Sequence, residues 1–241
     1  MALIAFWEIL CRLGIWEPTL FPSPWRVAQT LWRTLADRSL LLATGVSLRR
    51  ILVGYLLAQT LGVVLGVLLA RLRWLEETVG SLVLGLQTLP SVCWLPLALL
   101  WFGLNDRAIL FVVVMGALLA VTVSVHDGVK NVPPVYLRAA RTMGTGPVAL
   151  YTEVLLPASL PAILTGAKLG WSFAWRSLMA GELLFVSLGL GHMLMMGREL
   201  ADMSQVVAVM LVIILLGLLA DRAIFGVLAA RVRERWGLAH P

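Results

Sequence analysis

The chain is short of charge for its length. Of 241 residues, 13% are Asp, Glu, Lys or Arg, while 60% are hydrophobic. So few charges cannot cover the apolar surface of a water-soluble domain, and that class is set aside. Cysteine is scarce. Cys11 and Cys93 both lie in apolar stretches, which argues against a disulfide framework and for buried, inert thiols. There are 3 histidines and no Cys/His cluster at metal-ligand spacing. No G-x4-G-K-[ST] run occurs, so the chain has no phosphate loop with which to hydrolyse ATP. Gly144-Thr145-Gly146 follows no strand pattern, so a dinucleotide site is unsupported. H-E-x-x-H and G-x-S-x-G are also missing. An intramembrane enzyme would have no visible catalytic set, and no cofactor is expected in this chain.

The composition fits the membrane class, with a mean hydropathy of +0.93. There is room for about six spanning helices at ~20 residues each, and a single domain over 1–241 is the economical reading. The net charge of +6 fits helix-flanking residues that set orientation and meet lipid headgroups. It lacks the patterning of a nucleic-acid surface.

Met1 to Ile15 is apolar but short and contains Glu8 and Arg12. It lacks the basic start and small-residue cleavage site of a signal peptide, and a short first helix is expected. Residues 17–40 are polar and broken by Pro18, Pro22 and Pro24. Ser23 with Pro24 opens a helix there. Trp25, Ala28, Leu31, Trp32 and Leu35 form one stripe, so the helix either lies in the membrane interface or packs on the protein's flank.

A core of five spanning helices is expected over 44–228, followed by a basic tail over 229–241. Ile51 to Ala70 is the first of the five. Its Gly62-x3-Gly66 allows a close helix neighbour, within the chain or in a second copy, and Arg49 and Arg50 at its start are placed to reach the headgroups. Thr78 to Leu104 is interrupted by Pro90 and Pro96. A broken membrane helix frees backbone groups that protein or a wet cavity must satisfy. Gln87, Thr88 and Ser91 cluster at this break, as pathway residues or as a locally bonded kink. Ala108 to Val125 follows. His126 and Asp127 are adjacent and do not face each other on a helix.

Ser159 to Phe185 carries Lys168, Arg176 and Glu182. Charges at membrane depth are costly and usually paired or pore-facing. Helical spacing sets Glu182 off the Arg176 face, so a partner on another helix or subunit is expected. Arg176 is a candidate source of positive potential in an anion pathway, with a structural ion pair as the alternative. Trp171 and Trp175 share a face, in the core or lining the same path. Ser187 to Met203 reads as a loop, and Met203 to Ala220 as the last span, ended by Asp221 and Arg222.

Between the spans lies "RAARTMGTGPVALYTEVLLP", residues 138–157. Pro134 opens a short helix, Gly144 suits the left-handed residue that ends it, and Pro147 opens a second short helix toward Pro157. The spacing Ala139-Ala140-x3-Gly144-x9-Val154-x-Leu156-Pro157 resembles the "EAA" motif of bacterial ABC-importer permeases, with Arg138 where that family usually has Glu. "FPSPWRV", "SLRRILVGY", "LPSVCWLPLALLWFGLND", "LPASLPAILTGAKLGWSFAW" and "VSLGLG" are similar to its nitrate/sulfonate/taurine/bicarbonate branch, so the resemblance runs from about Pro22 to Trp236.

The resemblance implies an all-α integral membrane protein of the bacterial cytoplasmic membrane, with a type I, MetI-like permease core. Arg138, Ala139, Ala140, Gly144, Leu156 and Pro157 would belong to a cytoplasmic coupling helix. It further implies a homodimer, two cytoplasmic ATPase subunits that hold ATP and Mg, and a periplasmic or lipid-anchored binding protein. With the elbow cytoplasmic, Arg71, Arg73, Lys130, Arg138, Arg141, Arg231, Arg233 and Arg235 lie inside. Arg26, Arg33, Arg38, Arg107 and Arg198 lie outside, which fits the positive-inside bias. A small anion is the family-level ligand. A neutral ligand such as a pyrimidine vitamin precursor, or a membrane-embedded enzyme or channel, are the rival readings.

Overall fold

The computed structural model describes residues 2–14, 17, 19–185 and 187–235. Met1, Pro18, the expected end of the first helix at Ile15 and the end of the basic tail from Trp236 onward lie outside the described residues. The described residues are helical, joined by turns. α1 (Ala2–Arg12) has 11 residues, too few to cross a bilayer. Its Trp7 indole donates to the Pro22 carbonyl at 3.2 Å, which ties α1 to the start of α2 (Pro24–Ala36). As the sequence predicts, Ser23 caps α2, accepting from the Arg26 amide at 3.4 Å.

Most of the expected apolar stripe of α2 does not hold it to the protein. Val27, Thr30 and Thr34 are the buried side chains, and Leu31 packs against the cluster around Val209. Trp25 and Trp32 face outward at 70% and 76% exposure. The helix therefore does both things the sequence left open. One edge packs on the flank and the aromatic face looks into the membrane boundary. Asp37 turns the chain after α2 by accepting from the Ser39 hydroxyl at 2.6 Å and the Ser39 amide at 2.9 Å. These bonds hold its carboxyl below the usual carboxylate range.

α3 (Ser39–Arg71) is a single helix of 33 residues and starts well before Ile51. Next comes a broken span, α4 (Arg73–Gln87) and α5 (Ser91–Phe102), bent by 107°. Pro90 makes this break, as expected. Pro96 does not interrupt α5, because the α-helical part begins only at Leu95, after a 3-10 turn at Ser91–Trp94, and Pro96 sits in its first turn, where a missing N–H costs nothing. α6 (Asp106–Lys130) is capped by Asn105, which accepts from the Arg107 amide at 2.8 Å. α7 (Pro134–Thr142) is the short elbow helix.

The second elbow helix is not short. α8 runs unbroken from Pro147 to Leu184, 38 residues, through a π-helical turn at Leu150–Leu155. Leu156 and Pro157 thus lie inside a long helix. The expected loop from Ser187 to Met203 contains α9 (Leu190–Glu199). α10 (Met203–Val232) continues past Asp221 and Arg222, which form a π-helical turn instead of an end. Among the described residues four helices are long and apolar enough to cross a membrane, or five when the bent pair counts as one span. They cover the region expected to hold the core spans, and α1 is not among them.

Glycines set the packing. On Gly54, Gly62 and Gly66 of α3 a Cβ would lie 2.6, 2.8 and 2.7 Å from atoms of Val113, Val121 and Thr122 on α6. The Gly62-x3-Gly66 pattern therefore serves a contact within the chain, and α3 and α6 run parallel. α8 returns antiparallel, with Gly166 against Ser124 and Gly181 against Ile109. Ile51, Ala58, Ile109, Val113, Ala174 and Leu178 are fully buried where the three helices meet. One end of the bundle carries Arg49, Asp106 and Asp202. The other carries Arg71, Lys130 and the α7 elbow, with the Arg71 guanidinium 4.2 Å from the centre of the Tyr151 ring.

Candidate functional site: a cleft at the broken span and an exposed elbow

Pro90 removes one amide from the helix and turns the chain. Gln87, Thr88 and Ser91 consequently face a cleft of about 330 Å³ between the break, α6 and α8. Met115, Gly116 and Ala120 form the α6 wall, and Phe173 and Arg176 the α8 wall. The cleft stands about halfway along α6 and about three quarters of the way along α8. Thr88 returns its hydroxyl to the Gly85 carbonyl at 2.7 Å. Arg176 is exposed and makes no ion pair among the described residues. Its guanidinium lies 5.3 Å from the centre of the Phe173 ring. Arg176 is the one charged residue in the lining, so the cleft carries positive potential in a low-dielectric wall. Such a site favours an anion.

The other pathway candidates stand elsewhere. Trp171 is buried in the core, edge-on to Tyr55 at 5.2 Å and against Phe225. Trp175 stacks on Trp171 at 6.2 Å. Glu182 is completely buried at the end of the bundle away from the elbow. It meets Arg50 at 2.9 Å and accepts from Ser47 at 2.7 Å and from the Gly191 amide at 3.0 Å. These three residues do not line the cleft. The partner on another helix expected for Glu182 is Arg50, which therefore does not reach the headgroups. Arg50 also meets Asp106 at 2.6 Å. Lys168 pairs with Asp221 at 2.8 Å.

At the elbow, Gly144 has φ +81°, the left-handed residue the sequence predicts, and α7 closes with the Thr145 amide on the Ala140 carbonyl at 3.1 Å. The two alanines differ. Ala139 is exposed, whereas Ala140 is 3% exposed, turned inward as α7 packs on the first turns of α8. Arg138 and Arg141 are exposed. Around them Val135, Tyr136, Met143 and Val148 are 50–78% exposed, so a basic rim surrounds an apolar face.

Residues 62–234 match the family model for the binding-protein-dependent transport system inner membrane component. The chain belongs to this family. Over 226 residues it is 34% identical to an ABC transporter permease protein of Methanocaldococcus jannaschii, covering 92% of this chain and 84% of that protein. It is 28% identical to the aliphatic sulfonates transport permease SsuC of Escherichia coli, covering 100% of this chain and 90% of SsuC. Identity to the nitrate import permease NrtB of Leptolyngbya laminosa is also 28%, covering 95% of this chain and 84% of NrtB. An inward-facing structure of the methionine ABC transporter MetNI aligns with a TM-score of 0.66 at 20% identity, over 77% of this chain and 92% of that chain. The protein is thus an ABC importer permease subunit, a multi-pass protein of the inner membrane with a MetI-like fold.

Sequence reasoning missed two features of this permease. The apolar elbow face at Val135, Tyr136, Met143 and Val148 was legible as apolar residues inside a polar interval. A second cleft, of about 800 Å³, opens at the elbow end between α4 and α6. There His126 contacts Asp127 at 2.9 Å and Glu76 at 3.2 Å, and Lys130 also pairs with Glu76. His126 and Asp127 therefore do meet, although they are adjacent on one helix. Positive and negative side chains are matched in this cleft, so it lacks the single sign of the Arg176 cleft.

Proposed function

We propose that two copies of this permease enclose a translocation path for a small anion of the sulfonate, taurine, nitrate or bicarbonate type. Two cytoplasmic ATPase subunits, which hold ATP and Mg, drive it through α7, and an extracytoplasmic binding protein delivers the ligand. The carrying observation is Arg176, the one charge in a cleft formed where a spanning helix breaks. The names of SsuC and NrtB, a sulfonate and a nitrate permease, support the same ligand chemistry.

The mechanism follows from continuity. α7 lies against the first turns of α8, and α8 carries Arg176 on the same uninterrupted helix. A displacement of the elbow by closing ATPase subunits is passed along α8 as a rigid body, tilting one wall of the cleft. The exposed apolar face of α7 gives the partner something to bury, and the Arg138 and Arg141 rim orients it. Arg176 offers the anion a guanidinium without a competing carboxylate, which favours entry, and its exposure leaves the ion free to exit.

Uptake by proteoliposomes holding the Arg176→Gln permease tests this reading. Anion uptake should fall by at least about tenfold, as expected for removing a close charge from a partly desolvated site, with assembly intact. Unchanged uptake by a normally assembled variant would remove the role.

A further inference from the structure

A small cleft of about 300 Å³ lies between α2 and the start of α10, lined by Arg26, Gln29, Thr30, Arg33 and Ser204. Every one of these side chains carries a hydrogen-bond donor, and no carboxylate is in the lining. The donors are largely uncommitted. Arg26, Gln29, Thr30 and Ser204 make no side-chain hydrogen bond among the described residues. Arg33 has a single, loose ion pair with Asp202 at 3.6 Å, which leaves part of its charge available.

Thr30 is the informative member. Thr34, Thr60 and Thr122 return their hydroxyls to a backbone carbonyl one turn back, the usual habit of a helical threonine. Thr30 is only 8% exposed, yet its hydroxyl has no such bond. The hydroxyl opens onto the cleft instead, where a ligand oxygen can serve as its acceptor. Convergent guanidinium, amide and hydroxyl donors match the oxygens of a phosphate.

The surroundings of the cleft point to a lipid as the source of that phosphate. Arg26 and Arg33 share the polar face of α2. The next face presents Trp25 and Trp32 at 70% and 76% exposure, the residue type that gathers at the headgroup boundary. Below the cleft, α10 exposes Leu211, Ile214, Leu215 and Leu218, a surface for acyl chains. We propose that this cleft is a binding site for the headgroup phosphate of an anionic phospholipid, in the leaflet opposite the elbow. Arg26 and Arg33 hold the phosphate, Thr30 and Ser204 donate to it, and Trp25 and Trp32 flank the chains. The bound lipid then pins α2 to the start of α10. The site is independent of the Arg176 cleft.

The test is retention of palmitoyl-oleoyl phosphatidylglycerol by the purified full chain, read by native mass spectrometry. The wild type should retain phosphatidylglycerol over phosphatidylcholine. Arg26→Gln with Arg33→Gln should lower retention roughly thirtyfold, the combined effect of two basic residues at a membrane surface. Thr30→Val, which keeps the shape and removes the donor, should lower it severalfold without changing the helical circular dichroism. Arg107→Gln, at the same end of the bundle but outside the cleft, should retain lipid as the wild type does. Trp25→Ala with Trp32→Ala should weaken lipid retention too. Equal retention by the arginine and threonine variants overturns the proposal, as does an equal loss in Arg107→Gln. If inorganic phosphate or taurine binds the cleft in detergent and the tryptophan variants leave lipid retention unchanged, the site is one for a free oxyanion and the lipid assignment fails.

Discussion

Arg50 and Glu182, distant in sequence, meet at 2.9 Å inside the helix bundle with 4% and 0% of their side chains exposed. Ser47 donates to the same carboxylate, and the Ser47 hydroxyl accepts from the Leu190 amide at 2.9 Å. Arg50 also donates to the Leu188 carbonyl at 2.7 Å. The pair therefore fastens α3, α8 and the start of α9 at one node. Gly189 and Gly191 have no side chains because a Cβ at either would lie 2.5–2.6 Å from Glu182.

The two halves of this pair should differ in a stability measurement. Arg50→Met leaves Glu182 wholly buried without its cation, a change of about 3–5 kcal/mol. Glu182→Gln leaves Arg50 still paired with Asp106, so its effect should be smaller. Thermal unfolding in detergent reads both, and a larger loss in Glu182→Gln would contradict the arrangement.

Close packing of α3 on α6 predicts a graded glycine series. Gly66→Ala places a methyl 2.7 Å from the Thr122 carbonyl oxygen, a backbone atom that cannot rotate away. It should destabilise by about 1–3 kcal/mol. Gly85→Ala meets nothing within 4 Å and should be neutral or slightly stabilising through helix propensity. Equal melting temperatures for the two variants would refute the close approach.

At the elbow, Ala139 and Ala140 should separate docking from folding. Ala139→Glu puts a charge on the exposed face of α7 and should uncouple ATP hydrolysis from uptake while insertion and melting temperature hold. Ala140→Glu buries that charge against α8, so it should lower the melting temperature and remove assembly as well. Coupled uptake by Ala139→Glu at wild-type rates would count against α7 as the docking element.

Much of this was legible in the sequence because membrane spans announce themselves as charge-free runs. The break at Pro90, the cap at Ser23 and the left-handed Gly144 follow from what proline, serine and glycine do to a backbone. What stayed hidden depended on distant partners. Arg50 looked like the edge of a span because its buried carboxylate lies far along the chain. α8 and α10 run on through Leu150–Leu155 and Asp221–Gly226 because neither stretch holds a proline to stop the helix, and Asp221 is neutralised by Lys168. Gln87, Thr88, Ser91 and Arg176 came together at one cleft. Trp171, Trp175 and Glu182 went to the core, since helix spacing alone does not say which face a neighbour covers.

The most direct test of the central claim is ATPase activity of the permease assembled in lipid with its ATPase subunits and binding protein, against a ligand panel. The panel holds sulfonates, taurine, nitrate, bicarbonate and a pyrimidine. Stimulation by one of the anions, lost in Ala139→Glu, is the predicted result. Stimulation by the pyrimidine alone, or failure of any ATPase subunit to assemble with this chain, would contradict it.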